Sequence, residues 1–340
     1  MKRYNNLYEK IYDYDNLLLA HEKARKGKSH YKEVQKINRD PKKYLIQLQE
    51  SLKNHTYKTS KYKIEDRMEG RKMRTIYKLP YFPDRIVHHA IMNIIGDIWV
   101  NTLIRDTYQS IKGRGIHLAT KRIRKTLDEN KEETKYCLKI DIKKFYPSVN
   151  NEILKVIIMK KVKDKDLLWL LDDIIDSILG LPIGNYLSQI FGNLYLGEFD
   201  HWIKEVKGIK FYYRYCDDCI FFGDSKESLH NLRLEITDYL QNKLKLEVKD
   251  DWQIFPIDSR GIDFLGYRFF STHTLLRETI KNGFVKKIKN IKNNWETLNS
   301  FEIINGIMSY SGWMKYANCF NLKNTYISKD IQYIIELKTI

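Results

Sequence analysis

Hydrophobic and polar positions alternate along this chain in two rhythms, and the changes of rhythm outline its elements. Residues 1–55 are highly charged with weak helical periodicity and predict helices. From Tyr62 to Leu79 apolar and polar positions alternate around Glu69-Gly70, with Lys or Arg at 63, 67, 71, 72, 74 and 78. This predicts a basic β-hairpin turning at the glycine. Lys139-Ile140-Asp141-Ile142 predicts a short strand. Leu167, Leu168, Leu171, Ile174, Ile175 and Ile178 recur at helical spacing, and the intervening Asp172, Asp173 and Asp176 are expected on a solvated face. Beyond Gly180-Leu-Pro-Ile-Gly184 a further helix is expected, with Ser188 near its start and Phe191, Leu194, Tyr195 and Ile203 along one side. Phe211 to Phe222 has strand composition broken by Asp217-Asp218, the pattern of a hairpin whose tip presents carboxylates. Phe284, Ile288, Ile291 and Trp295 follow a 4-3-4 spacing with Lys286, Lys287, Lys289 and Lys292 on the other faces, which predicts a helix with one apolar and one basic side.

Composition narrows the class. Among 340 residues, 60 Lys and Arg stand against 43 Asp and Glu, a formal charge of +17. Such an excess points to an anionic partner, nucleic acid or a membrane surface. It is concentrated at the ends: residues 1–80 hold 21 basic and 10 acidic side chains and residues 281–340 hold 9 and 4, while the centre is near neutral. The longest apolar stretch, Ala90 to Val100, is interrupted by Asn93 and Asp97 and is shorter than the roughly 20 residues of a membrane span. No membrane partner is expected. Met-Lys-Arg-Tyr-Asn-Asn at the start has no apolar core, and four cysteines do not make a disulfide framework. The expectation is a cytoplasmic protein.

Two acidic clusters stand on short apolar strands: Asp141, and the pair Asp217-Asp218. Burying unpaired carboxylates is costly, so exposure, cation pairing or metal binding must relieve them. Magnesium suits the site if a phosphate chain supplies the remaining oxygens. Two ions about 4 Å apart would clamp the attacking and leaving oxygens of a phosphoryl transfer. The alternative is an Asp-Asp turn with an unrelated strand-end aspartate. Cys216 and Cys219 spell Cys-x-x-Cys, but no second Cys/His pair is placed to complete a zinc site. His88-His89 read as helix residues without a metal role.

The order of these features makes the chain recognisable. Tyr215-Cys-Asp-Asp218 resembles the Tyr-x-Asp-Asp box of reverse transcriptases, and Asp141 with Phe145-Tyr146 resembles their first catalytic motif. Gly180 to Gln189 lies where that family lines the incoming nucleotide. Arg74-Thr-Ile-Tyr-Lys-Leu-Pro and Asp84-Arg85-Ile86 are similar to finger motifs of bacterial and group II intron-type enzymes, and Phe264-Leu-Gly-Tyr267 is similar to the primer grip. The resemblance covers residues 62–270 and implies an α+β right-hand polymerase fold. Fingers with an N-terminal helical extension are expected at 1–135, a palm with an antiparallel sheet at 136–270 and a helical thumb at 271–340. It implies an RNA-directed DNA polymerase with template RNA, cDNA and deoxynucleotides as partners and two Mg2+ ions as cofactor. Asp141, Asp217 and Asp218 resemble the catalytic carboxylates and metal ligands, with the Ile142 carbonyl as a further ligand. Tyr146 matches the gate that rejects a ribose 2′-hydroxyl, or alternatively is a core aromatic. Arg67 and Arg74 match cations on the triphosphate, or alternatively belong to a solvated hairpin face. Arg114 is expected on template backbone unless it is a neutral loop residue; Gly266, Tyr267, Lys286 and Lys289 are expected on template and primer.

One departure from the common pattern narrows the subfamily. Where most members carry Gln-Gly and Ser-Pro, this chain has Ile183-Gly184 and Ser188-Gln189. That form resembles the enzymes of diversity-generating retroelements, which copy a template RNA with frequent errors at adenines. Ile183 and Gln189 are accordingly expected at the nucleotide, and a small basic pentameric accessory protein is an implied partner. The residues after Tyr267 suffice for a thumb and not for a nuclease domain besides. An antiviral-defence, retron- or intron-type reverse transcriptase is the near alternative, and a non-catalytic RNA-binding scaffold is the alternative of another class.

Overall fold

Polar caps divide the N-terminal region into short helices. A computed structural model of the chain describes residues 2–70 and 72–327, the side chain of Ser300 excepted; Arg71 of the expected hairpin and residues 328–340 of the expected thumb lie outside them. The first helices are α1 (Tyr8–Tyr12), α2 (Tyr14–Ala24), α3 (Lys32–Arg39) and α4 (Pro41–Lys53). Asp13 accepts from the amides of Asp15 and Asn16 to start α2, and Asp40 followed by Pro41 starts α4. The strands β1 (Lys63–Glu69) and β2 (Lys72–Lys78) form the expected antiparallel hairpin, turning at Gly70. Next come α5 (Ile86–Val100) and α6 (Ile116–Glu129). Ile11, Leu17, Ala20, Leu45 and Leu48 share one buried core with Ile86, Ala90 and Ile91 of α5.

The centre is built from β3 (Tyr136–Asp141), α7 (Phe145–Ser148), α8 (Asn151–Met159), α9 (Lys165–Asp176), α10 (Tyr186–Tyr195), α11 (Gly197–His201), β4 (Tyr212–Tyr215), β5 (Asp218–Gly223), α12 (Lys226–Leu244) and β6 (Gln253–Pro256). These strands form an antiparallel sheet in the order β4-β5-β3-β6. Strand alternation gives the sheet two apolar faces. Leu138, Ile140, Tyr212, Cys219 and Phe221 join the core with α8, α10 and α12, while Cys137, Tyr213, Ile220 and Phe222 join a second core. By the same alternation Lys139, Asp141 and Asp218 lie on the second face, and Arg214 lies on the first.

The short α13 (Ile257–Arg260) leads into β7 (Ile262–Phe264), β8 (Tyr267–Phe269) and β9 (Thr274–Leu276), followed by α14 (Glu278–Asn293), α15 (Ser300–Met314) and α16 (Phe320–Tyr326). Leu265 and Gly266 both have positive φ and close the β7–β8 turn. A Cβ at Gly266 would lie 2.6 Å from the Trp313 ring, so only glycine allows the turn to dock on α15. Phe284, Ile288 and Ile291 of α14 pack with Ile303 and Ile307 of α15 in the second core, which also contains Ala119 and Ile123 of α6.

Four expectations need correction. Ile178 lies past the end of α9 at Asp176. Trp295 lies beyond α14, because the helix ends at the Asn293-Asn294 pair, where Asn294 folds back onto the Asn290 carbonyl. Ile203 is not on the helix of Phe191, since α10 ends at Tyr195 and the chain re-forms as α11 and a short π-helix over Trp202–Val206. Asp173 is not on a solvated face: it accepts from the Thr59 amide at 2.7 Å and the Thr59 hydroxyl at 2.8 Å, anchoring the strap that leads to β1.

Candidate active site

Register brings the acidic residues together. Asp141 ends β3, Asp218 begins β5, and the two are direct cross-strand partners. A two-residue turn, Cys216-Asp217, closes the β4–β5 hairpin beside them, with Cys216 in the left-handed region at φ 59°. Strand pairing at this edge is extended by the loop after α12. The Lys249 amide donates to the Asp141 carbonyl at 2.9 Å and the Lys143 amide donates to the Glu247 carbonyl at 2.8 Å. Neither bond uses the Ile142 carbonyl, which lies between them.

Two lysines face these carboxylates. Lys249 Nζ lies 2.6 Å from Asp141 Oδ1. Lys139 Nζ lies 3.7 Å from Asp218 Oδ2 and donates to the Asp263 carbonyl on β7 at 2.7 Å. Burial pushes the Asp218 carboxyl up to about 7, with Asp141 and Asp217 adding to the rise and Lys139 opposing it. Burial, then Asp141, raises Asp217 as well. For Lys249 burial disfavours the charge, yet Asp141 beside it more than compensates and its pKa rises. Asp218 Oδ1 is buried without a hydrogen-bond partner. Among the described residues no three His, Cys, Asp or Glu side chains converge as a ready-made metal cage. The donor set nevertheless suits a hard divalent cation: three carboxylates and a free carbonyl, all oxygen, with Asp218 Oδ1 and Asp141 Oδ1 both buried without a hydrogen bond, the latter in ion contact with Lys249. Such a cation would take the place on Asp141 now filled by Lys249.

The other expected residues surround this cluster unevenly. Tyr146, on α7, is half-buried, its hydroxyl 3.6 Å from Cys216 Sγ; burial and then Cys216 raise its pKa. Its carbonyl accepts from Leu181, which ties α7 to the segment carrying Ile183. Ile183 is half-buried, and its carbonyl accepts from the Tyr77 amide at 2.8 Å, the link between β2 and the centre. Gly184 sits at φ 106°, where a Cβ would lie 2.9 Å from the Tyr77 carbonyl oxygen. Gln189 is exposed on α10 while Ser188 is buried. Arg67 and Arg74 are cross-strand partners in the hairpin, and Arg74 pairs with Glu69 at 2.9 Å. Arg114 commits Nη1 to the Ile104 carbonyl at 2.6 Å. Tyr267 is fully buried, its hydroxyl on the Trp313 carbonyl, so the β7–β8 turn presents backbone rather than this ring. Lys286 and Lys289 are exposed on α14. The four cysteines are free and buried, and burial pushes the Cys216 thiol up to about 12. Burial likewise pushes His88 down to about 3, leaving it a neutral core residue.

Sequence reading overlooked the two lysines and the Arg214–Asp200 pair behind the hairpin. Arg214 carried a signal, a lone charge inside the aromatic strand Phe211-Tyr-Tyr-Arg-Tyr215; Lys139, Lys249 and Asp200 carried none.

Comparison with known proteins agrees with this geometry. Residues 64–269 match the family described as reverse transcriptase (RNA-dependent DNA polymerase). Protein YkfC of Escherichia coli (strain K12) is 21% identical over an alignment of 257 residues, the match covering 63% of this chain and 66% of that protein. A telomerase from Candida albicans, solved with a fragment of telomeric RNA, superposes with a TM-score of 0.51 at 11% identity, covering 87% of this chain and 64% of that one. Apo telomerase from Candida tropicalis gives 0.49 at 15% identity, covering 73% and 55%. The chain thus spans somewhat less than two thirds of the length of these relatives. With more than half of its residues matched to one family and a sheet of the right-hand polymerase type, the chain belongs to the reverse transcriptases.

Proposed function

We propose that this chain is an RNA-directed DNA polymerase that holds magnesium on Asp141, Asp217 and Asp218, with the Ile142 carbonyl as a further oxygen. The register of Asp141 with Asp218, at the open end of a sheet face that also carries Lys139, carries the reading. When bound, magnesium supplies positive charge to the attacking and leaving oxygens of nucleotide addition. The side chains do the rest. Arg67 and Arg74 face each other across β1 and β2, with Arg74 paired to Glu69, and take the triphosphate. Tyr146 packs against Cys216 and bars a 2′-hydroxyl, so deoxynucleotides are selected. Arg114, the backbone of the Leu265-Gly266 turn with Tyr267 buried behind it, and the exposed Lys286 and Lys289 line template and primer, within fingers 1–135, palm 136–270 and thumb from 271. Primer extension on an RNA template with magnesium tests this: wild type extends and Asp217→Ala does not. Equal inactivity of both, with RNA binding retained, refutes catalysis and favours a scaffold.

The finer reading is a diversity-generating enzyme working with a small basic pentameric accessory protein. Ile183 supports it, since an apolar side chain beside the nucleotide cannot hydrogen-bond the base-pair plane as glutamine would. Ile183→Gln should lower misincorporation opposite template adenine; an unchanged error spectrum rejects the reading.

A further inference from the structure

Behind the carboxylate hairpin, on the opposite sheet face, lies a buried ion pair that none of these roles uses. Arg214 and Asp200 are both 0% exposed. Their contact is a fork: Nε donates to Asp200 Oδ1 at 2.7 Å and Nη2 to Oδ2 at 2.5 Å. Asp200 is saturated by two more donors, the hydroxyls of Tyr212 at 2.7 Å and Thr107 at 3.0 Å. Nη1 turns the other way, to the Cys216 carbonyl at 2.9 Å and Asn193 Oδ1 at 3.2 Å. One rigid guanidinium therefore joins α11, α10 and the turn that carries Asp217.

That turn needs holding. Cys216 occupies a left-handed conformation that residues with a Cβ rarely adopt. A carbonyl bonded from behind holds that conformation.

We propose that Arg214, oriented by Asp200, is a positioning residue: its bond to the Cys216 carbonyl fixes the turn so that Asp217 and Asp218 are presented beside Asp141. This rests on the polymerase reading of the site. A lysine could meet Asp200 but could not keep the fork and reach Cys216 as well.

The test compares wild type, Arg214→Lys and the double variant Arg214→Met/Asp200→Leu. It measures thermal unfolding, amide hydrogen exchange of the segment 213–221, and steady-state kcat and KM for deoxynucleotide at a temperature where each protein is folded. The double variant should unfold well below wild type, because the buried Tyr212 and Thr107 hydroxyls lose their acceptor; where it is folded it should exchange the tip amides about tenfold faster and lose about 10- to 100-fold in kcat, with KM within about twofold. Arg214→Lys should show the same split, which keeps the proposal testable if the double variant does not fold. A folded double variant with kcat and tip exchange as in wild type overturns the proposal. If wild type extends no primer, the polymerase reading fails by itself; the exchange rates still decide whether Arg214 holds the turn.

Discussion

Replacing Lys249 with methionine should tighten metal binding at the carboxylates. Lys249 Nζ is 2.6 Å from Asp141 Oδ1, with the two side chains 32% and 34% exposed. At that separation the Coulomb attraction is about 6 kcal/mol at an effective dielectric of 20 and about 1.6 kcal/mol in water. Partial exposure and the loss of hydration on pairing leave about 1–2 kcal/mol net. A divalent cation arriving at Asp141 must offset that amount before it gains anything. Lys249→Met matches the aliphatic stem and removes the competing ammonium, so the apparent Kd for Mn2+ should fall by about 5- to 30-fold at about 1.4 kcal/mol per decade. Calorimetric titration of Mn2+ into protein without nucleotide reads this directly, free of any role Lys249 has toward a triphosphate. The Mg2+ concentration for half-maximal primer extension should fall in parallel. An unchanged or weakened Mn2+ affinity in a folded variant would show that Lys249 does not guard the site, and would refute the reasoning.

Three further outcomes follow from charges at other positions. Asp218 is pushed up to about 7 by burial, so its ionised form destabilises the metal-free fold above that pH, and the penalty disappears below the usual carboxyl pKa near 4. Asp218→Asn should therefore raise metal-free stability by about 1–3 kcal/mol at pH 8 and by nothing near pH 3.5, while abolishing primer extension; denaturant titration at the two pH values checks the sign. Asp164 accepts from the amides of Leu7 at 2.6 Å and Tyr8 at 3.0 Å and caps α9 at Leu167. Burial works against its charge, yet those amide bonds more than compensate and hold its carboxyl below the usual range. Its stabilisation is complete above the unfolded pKa near 4 and is lost as pH falls through the folded value. Asp164→Ala should cost about 3 kcal/mol at pH 7 in chemical unfolding, and the gap to wild type should narrow in acid. Arg67→Ala should raise KM for deoxynucleotide about tenfold with thermal stability unchanged or slightly higher, because it also removes the like-charge pair with Arg74. A KM within twofold of wild type would take Arg67 off the triphosphate.

How much of this was legible in the sequence depends on whether a residue's role is local. The β1–β2 hairpin was legible because alternation and a turn glycine are short-range signals, and Asp141 and Asp217-Asp218 were legible because acids inside apolar strands are anomalous. The register that makes Asp141 and Asp218 partners was carried only by the order of family motifs, since nothing local pairs β3 with β5. Asp173 misled because a charged position on an amphipathic helix reads as solvated until another segment covers it, here Thr59. Trp295 misled because periodicity continued for one step past the residues that stop the helix. Lys249 was silent because its placement follows from the pairing of Val248 with Ile142. Asp200 was silent for the same reason: an acid in a helix acquires meaning only from the strand packed against it.

The two faces of the central sheet divide the handling of charge, and the division has a physical basis. On the face of Asp141 and Asp218 the nearest cations are lysines, single-point charges on flexible stems and partly exposed, of which Lys249 can give way to a better cation or a phosphate. On the opposite face the neutralising group is a buried arginine locked to Asp200 in a fork, where withdrawal would strand a charge without water or partner. On the polymerase reading proposed above, the front would exchange its cations during catalysis while the back holds the backbone of the same hairpin. With the arrangement reversed, an immovable arginine would block the proposed metal site and a mobile lysine would not hold the Cys216-Asp217 turn.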